Sequence, residues 1–145
     1  MKVVDANVLI YAVNSASPHH NSARSWLTTA LQGHETVGIP WVCSLAFIRI
    51  CTNARIMDRP LTPEQACRQI EGWLSQRIVV TVEPSPRHVT VLAGLLSANG
   101  VAGNLTNDAH LAALALEHSA TVVTFDRDFE RFGVPVLVPP RPSVG

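Results

Sequence analysis

Apolar residues in this chain alternate between short β-branched runs and longer stretches with helical spacing. Residues 2–5, 37–40, 79–82 and 121–125 are brief, rich in Val and Ile, and bounded by polar or turn residues, so each predicts a strand. Between them the period changes to 3.6. Residues 7–14 predict a short helix with Asp5 or Ala6 at its start. Residues 19–32 place Ala23, Trp26, Leu27, Ala30 and Leu31 on one face, between Pro18 and Gly33. Residues 44–55 predict a helix capped by Ser44. Residues 63–76 predict another, with Thr62 as cap, Pro63 in the first turn, and Ala66, Ile70, Trp73 and Leu74 sharing a face. Residues 87–98 turn Val89, Leu92, Leu95 and Leu96 inward. Asn99-Gly100 and Gly103-Asn104 form the loop before a helix at 107–118, which is apolar on nearly every side and therefore expected to be buried. Val134-Pro135-Val136-Leu137-Val138 adds an edge strand, where proline is tolerated.

Buried strands alternating with helices predict an α/β fold: a three-layer α/β/α sandwich with a central, mostly parallel sheet. One domain over 1–138 and a loose tail over 139–145 are expected, with no internal repeat or linker. At 145 residues, 47% hydrophobic and 15% charged, the chain can bury a real core. No apolar run approaches the roughly 18 residues of a membrane span, and the N-terminus reads as a strand rather than an export signal. Three cysteines (Cys43, Cys51, Cys67), odd in number and without zinc spacing, predict reduced, mostly buried thiols and a cytoplasmic protein. A formal net charge of zero excludes a large non-specific electrostatic footprint on nucleic acid, leaving only local charge to attract one.

The candidate chemistry lies in aspartates at element junctions. Asp5 ends the first strand, Asp126 ends the run Thr121–Phe125 with Asp128 two residues on, and Asp108 opens the helix Asp108-Ala109-His110-Leu111. In a parallel sheet, sites form beyond the carboxyl ends of the strands, where Asp5 and Asp126 fall. Carboxylates gathered there repel by roughly 4 kcal/mol per pair about 4 Å apart. Some must protonate, or a hard cation such as Mg²⁺ must sit among them. Asn7 and Thr124 are placed to orient the carboxylates, and Arg49, Arg127 or Arg131 to hold a phosphate or neutralise the acids. Each acid also has a plainer role: Asp5 as a helix cap, Asp108 as a first-turn acid, Asp126-Arg127-Asp128 as a turn. His19 and His20 are adjacent and do not face one another on a helix. His110 is expected in packing, His118 against the last carbonyls of its helix, Phe47 and Trp73 in the core, and Trp26 at a partner contact.

Three blocks together carry a resemblance: Asp5-Ala6-Asn7-Val8-Leu9-Ile10-Tyr11-Ala12, Asn107-Asp108-Ala109-His110-Leu111-Ala112-Ala113-Leu114-Ala115, and Thr124-Phe125-Asp126-Arg127-Asp128-Phe129. In order and spacing they resemble the signature blocks of PIN-domain ribonucleases, most of all the VapC toxin branch of type II toxin–antitoxin systems. The resemblance implies an endoribonuclease dependent on Mg²⁺ or Mn²⁺, acting on RNA, homodimeric, and inhibited by a small VapB antitoxin. It implies Asp5, Asp108, Asp126 and Asp128 as catalytic acids, the first three also as metal ligands, with Asn7, Thr124, Ser44 and Arg49 in support. One departure stands out. Many PIN domains carry a glutamate on the helix after the second strand; here Cys43-Ser44-Leu45-Ala46-Phe47-Ile48-Arg49 holds none, and no acid lies between Glu35 and Asp58. Glu117 lies roughly 13 Å along its helix from Asp108 and cannot substitute; Ser44 could contribute through a water. The missing acid motivates an alternative, a catalytically weak PIN-like module that binds RNA or a partner. An aspartyl-phosphate phosphotransferase with Asp5 as nucleophile is disfavoured, because Asn7 replaces the second acid and Lys2 is the sole lysine.

Overall fold

In the computed structural model, which describes residues 1–100 and 103–143, the β-branched runs form β1 (Lys2–Val4), β2 (Val37–Gly38), β3 (Val79–Val80), β4 (Thr121–Val123) and β5 (Val136–Leu137). Their order is β3-β2-β1-β4-β5, and every pairing is parallel. Lys2, Val3 and Val4 stand opposite Thr121, Val122 and Val123. The four valines of that central pair are fully buried, as strands covered on both faces require. Gly38 lets β2 pass close to its neighbour: a Cβ there would overlap Val82 Cγ2.

Among the described residues, six helices connect the strands: α1 (Ala6–Val13), α2 (His20–Leu31), α3 (Trp41–Cys51), α4 (Pro63–Leu74), α5 (His88–Asn99) and α6 (Thr106–Glu117). Short 3₁₀ segments lie at Gly103–Leu105 and Arg127–Phe132. The path β1–β2–β3 steps outward with α1 to α4 in its crossovers. The chain then returns through α5 and α6 to β4, on the other side of β1. Right-handed crossovers place these two helix sets on opposite faces, giving the three layers. α1 packs on α2 and α3, α3 on α4, and α5 on α6. Phe47 and Trp73 meet edge-on at 5.1 Å between α3 and α4. Thr62 and Gln65 form a reciprocal capping box that starts α4 at Pro63: Gln65 N–H donates to Thr62 Oγ1 (3.1 Å) and Thr62 N–H to Gln65 Oε1 (2.9 Å).

The structure corrects several expectations. α3 starts at Trp41, with Pro40 rather than Ser44 at the cap position; Cys43 and Ser44 both donate backbone N–H to the Pro40 carbonyl. The fixed proline φ of −71° suits that position, so the helix gains a turn and Ser44 falls on its core face, 1% exposed. α5 carries Val89 outward, not inward. Its phase is set by His88, which is buried, so Val91, Leu92, Leu95 and Leu96 follow it toward the protein and Val89 points away. Cys43 and Cys51 are buried but Cys67 is exposed, because α4 buries the stripe Ala66, Ile70 and Trp73 beside it. His118 bonds through Nε2 to the Glu83 carbonyl (3.0 Å), not to its own helix. The strands are shorter than 2–5, 37–40, 79–82 and 121–125, since the residues after each turn away to begin loops and caps. Trp26 is half-buried and Pro139 buried, with no regular element from Pro139 to Ser143. Residues 101–102 of the expected 99–104 loop and residues 144–145 of the tail lie outside the described residues. Among the described residues, no helix is long and apolar enough to cross a membrane.

Candidate active site

The strand order reverses between β1 and β4, and their carboxyl ends open the crevice where α/β folds place ligands. Asp5 leaves β1 there, with its N–H on the Val123 carbonyl (2.9 Å). Its Oδ1 accepts from Ala6 N–H (2.7 Å), capping α1, and its Oδ2 accepts from the Thr124 hydroxyl (2.8 Å). Thr124 is fully buried, and its Oγ1 in turn accepts from Asn7 Nδ2 (3.1 Å) and Asp126 N–H (3.0 Å). Asn7 Oδ1 accepts from Phe125 N–H (3.3 Å), and Asp126 Oδ1 from Asp128 N–H (2.9 Å). One network thus locks Asp5, Asn7, Thr124 and Asp126 together across the two strand ends. Asp5 and Asp126 each do cap a helix, and Asp5 does so while facing a cavity.

Asp108 reaches the same place from the first turn of α6. With Asp5 it lines a cleft of about 620 Å³, shared with Asn107 and Leu111 and closed by Val42, Leu45, Ala46 and Arg49 of α3. Its side chain accepts no hydrogen bond among the described residues, and Arg49 makes no ion pair among them. Ser44 is turned away from this wall into the core, so α3 presents an apolar lining and one cation but no acid. Asp128 is exposed.

Electrostatics tie the four acids together. Burial, then the charges of Asp5, Asp126 and Asp128, push the Asp108 carboxyl up to about 6. Burial also raises Asp5; hydrogen bonds from Thr124 and Ala6 oppose this, and Asp126 adds to it. Burial and then the charges of Asp5 and Asp108 push the Cys43 thiol well above its ordinary range, so it stays neutral. Among the described residues, no group of three or more His, Cys, Asp or Glu side chains is arranged to hold a metal ion. The chemistry of the pair on the cleft wall nonetheless fits a hard divalent cation. Two carboxylates in an uncompensated negative field match an ion that keeps several waters and takes one or two protein carboxylates.

A second polar cluster escaped the sequence reading. Ser85, in the loop before α5, donates its hydroxyl and its N–H to Glu117 Oε1. His88 Nδ1 lies 2.5 Å from Glu117 Oε2, and His88 Nε2 lies 2.8 Å from His110 Nδ1. The signal for it was His110 and Glu117, seven residues apart and so on one face of the same helix, α6. His19 and His20 diverge: His19 packs against Phe125 with ring centres 4.6 Å apart, and His20 Nδ1 meets the Tyr11 carbonyl at 2.8 Å.

Comparison with known proteins bears on the family and the fold. The PIN domain family model matches residues 2–135. The chain is 50% identical to ribonuclease VapC37 of Mycobacterium tuberculosis over 132 residues, covering 91% of this chain and 92% of that protein. It is 37% identical to ribonuclease VapC33 of the same species, with the same coverage. Among solved structures, VapBC2 from Rickettsia felis bound to a promoter DNA fragment superposes with a TM-score of 0.67 at 20% identity, covering 94% of this chain and 96% of that one. A chain matched over nearly its whole length by that domain, and identical at half of the 132 residues aligned with one such ribonuclease, is a PIN-domain protein of the VapC ribonuclease family.

Proposed function

We propose that this protein is an endoribonuclease toxin of a VapBC-type pair, hydrolysing RNA phosphodiesters at the Asp5–Asp108 cleft with a divalent cation. The observation that carries the reading is that two carboxylates more than 100 residues apart in sequence share one cavity wall. Asp5 and Asp108 would hold Mg²⁺ or Mn²⁺, with Asp126 completing the acidic set. Bound there, the cation supplies Lewis-acid stabilisation of charge on the phosphoryl oxygens. The chain's own groups do the rest. Thr124 fixes one oxygen of Asp5, and Asn7 and the Asp126 N–H fix Thr124, so the carboxylate is oriented before substrate arrives. Asp126 and Asp128 add to the field that retains a cation. Arg49 offers a guanidinium fork to a phosphate. The family reading carries with it a VapB-type antitoxin, a homodimer and a cytoplasmic setting.

Purified protein incubated with total RNA over a Mg²⁺ and Mn²⁺ titration, followed by mapping of cleavage sites, tests this. Cleavage is expected to need the metal and to fall at least 100-fold in Asp5→Asn and Asp108→Asn, since each removes a ligand and its charge. Activity retained in either variant refutes the assignment. The α3 wall, which presents no acid, favours a second reading: a module that binds RNA or a partner and cuts weakly or not at all. RNA bound but left intact throughout the titration supports that reading instead.

A further inference from the structure

α6 carries Asp108 in its first turn and Glu117 at its end, and much of what lies between is alanine: Ala109, Ala112, Ala113 and Ala115 are buried with Leu111 and Leu114. Alanine ridges are shallow, so apolar packing alone fixes the turn and height of such a helix weakly. Directional bonds come from one face. His110 and Glu117 stand about 10 Å apart along the axis, and His88 bridges them from the start of α5. Its Nδ1–H donates to Glu117 Oε2 at 2.5 Å, and one proton lies between its Nε2 and His110 Nδ1 at 2.8 Å. Glu117 also takes the Ser85 hydroxyl and N–H, and the Ser85 carbonyl accepts from His88 N–H at 3.0 Å. The side chains of His88 and Glu117 are 11% and 6% exposed, so water competes little for these bonds.

We propose that Glu117, His88 and His110 are positioning residues for the acidic cleft: their hydrogen-bond chain sets the turn and height of α6, and so holds Asp108 where one cation reaches both it and Asp5. The inference rests on the cleft being a cation site, and is independent of what the cleft cuts. Asp108 depends on such a device because no donor among the described residues holds its carboxylate. Its place is the one the α6 backbone gives it. At about 100° per residue, Asp108 lies on the side of α6 opposite Glu117, so carboxylate and chain are the two ends of one lever. A turn of about 20° moves a group roughly 5–6 Å from the axis by about 2 Å, and a slip of one residue moves it about 1.5 Å. Metal–ligand distances tolerate only about 0.2 Å. Either motion therefore parts the ion from one carboxylate.

The test is the Mn²⁺ affinity of the purified protein, read from the EPR signal of the free ion, with melting curves in EDTA beside it. His88→Leu breaks both links of the chain and should weaken Mn²⁺ binding roughly 10-fold, the size of effect seen when groups that orient metal ligands are removed. Glu117→Gln should bind as wild type does: the amide N–H donates to His88 Nδ1, the histidine tautomer reverses, and the chain survives without its charge. Thr62→Ala removes the cap of the remote helix α4, so it should lower the melting temperature and leave the affinity unchanged. Should His88→Leu fail to fold, His110→Leu, at the half-exposed end of the chain, carries the same test. A folded His88→Leu or His110→Leu that melts earlier yet binds Mn²⁺ like wild type overturns the assignment, leaving a staple between α5 and α6. Equal losses in His88→Leu and Glu117→Gln also overturn it, in favour of the Glu117 charge. No Mn²⁺ bound by wild type, or equal binding by wild type and Asp5→Asn, refutes the cation site itself and the positioning role with it.

Discussion

Asp5 and Asp108 face the same cavity but are held in different ways. Asp5 is half-buried with hydrogen bonds to both oxygens, while Asp108 has burial and three like charges around it and no donor among the described residues. The electrostatic strain therefore falls on Asp108, and it has a definite pH signature. Between an unfolded carboxyl near 3.9 and the folded value of about 6, the folded chain binds more protons than the unfolded one. Stability thus falls as pH rises through that window and stays reduced above it. Without metal, Asp108→Asn is expected to stabilise the fold by roughly 1–2 kcal/mol at pH 7.5, after allowing for solvent screening of a partly exposed group. At pH 4 or below the substitution should be close to neutral. Urea denaturation at the two pH values checks this, and an equal loss of stability at both would mean that Asp108 serves the helix rather than a site.

At the scale of elements, packing between strands is as demanding as the charge cluster. Gly38 is buried in β2 with Val82 where a Cβ would go, and the valine side chain is too stiff to yield. Gly38→Ala should cost about 1–3 kcal/mol by overpacking, read as a fall in denaturation midpoint at unchanged m-value. Most elements were legible because their signals are local: the β-branched runs, the box of Thr62 and Gln65, the buried apolar run of α6. What was not legible depends on distant contacts. The phase of α5 follows from His88 meeting Glu117, 29 residues away. The start of α3 was misplaced because a serine looked like the better cap, while Pro40 already had the required backbone geometry. The candidate site divides the same way. Asp5, Asn7 and Thr124 could be placed from strand ends alone, and the network joins them. The entry of Asp108 from α6 and the apolar wall of α3 required the packed layers.

For the whole molecule, topology makes the site possible. Strand order β3-β2-β1-β4-β5 sets β1 beside β4, so residues 5, 108 and 126 converge electrostatically although they come from opposite ends of the chain. The net charge of zero means this acidity is local, offset by cations elsewhere on the surface and by Arg49, which lines the cleft without pairing to its acids among the described residues. The central claim is that Asp5 and Asp108 act together as one cation site. Its most direct measurement is the melting temperature of wild type, Asp5→Asn and Asp108→Asn in EDTA and in saturating Mn²⁺. A ligand that binds only the folded state at about 100 times its dissociation constant adds roughly 2.7 kcal/mol. For a chain of this size that is a rise of about 5–10 °C. Wild type is expected to show that rise and both variants to lose most of it; the same rise in all three proteins, or none in wild type, would contradict a shared cation site.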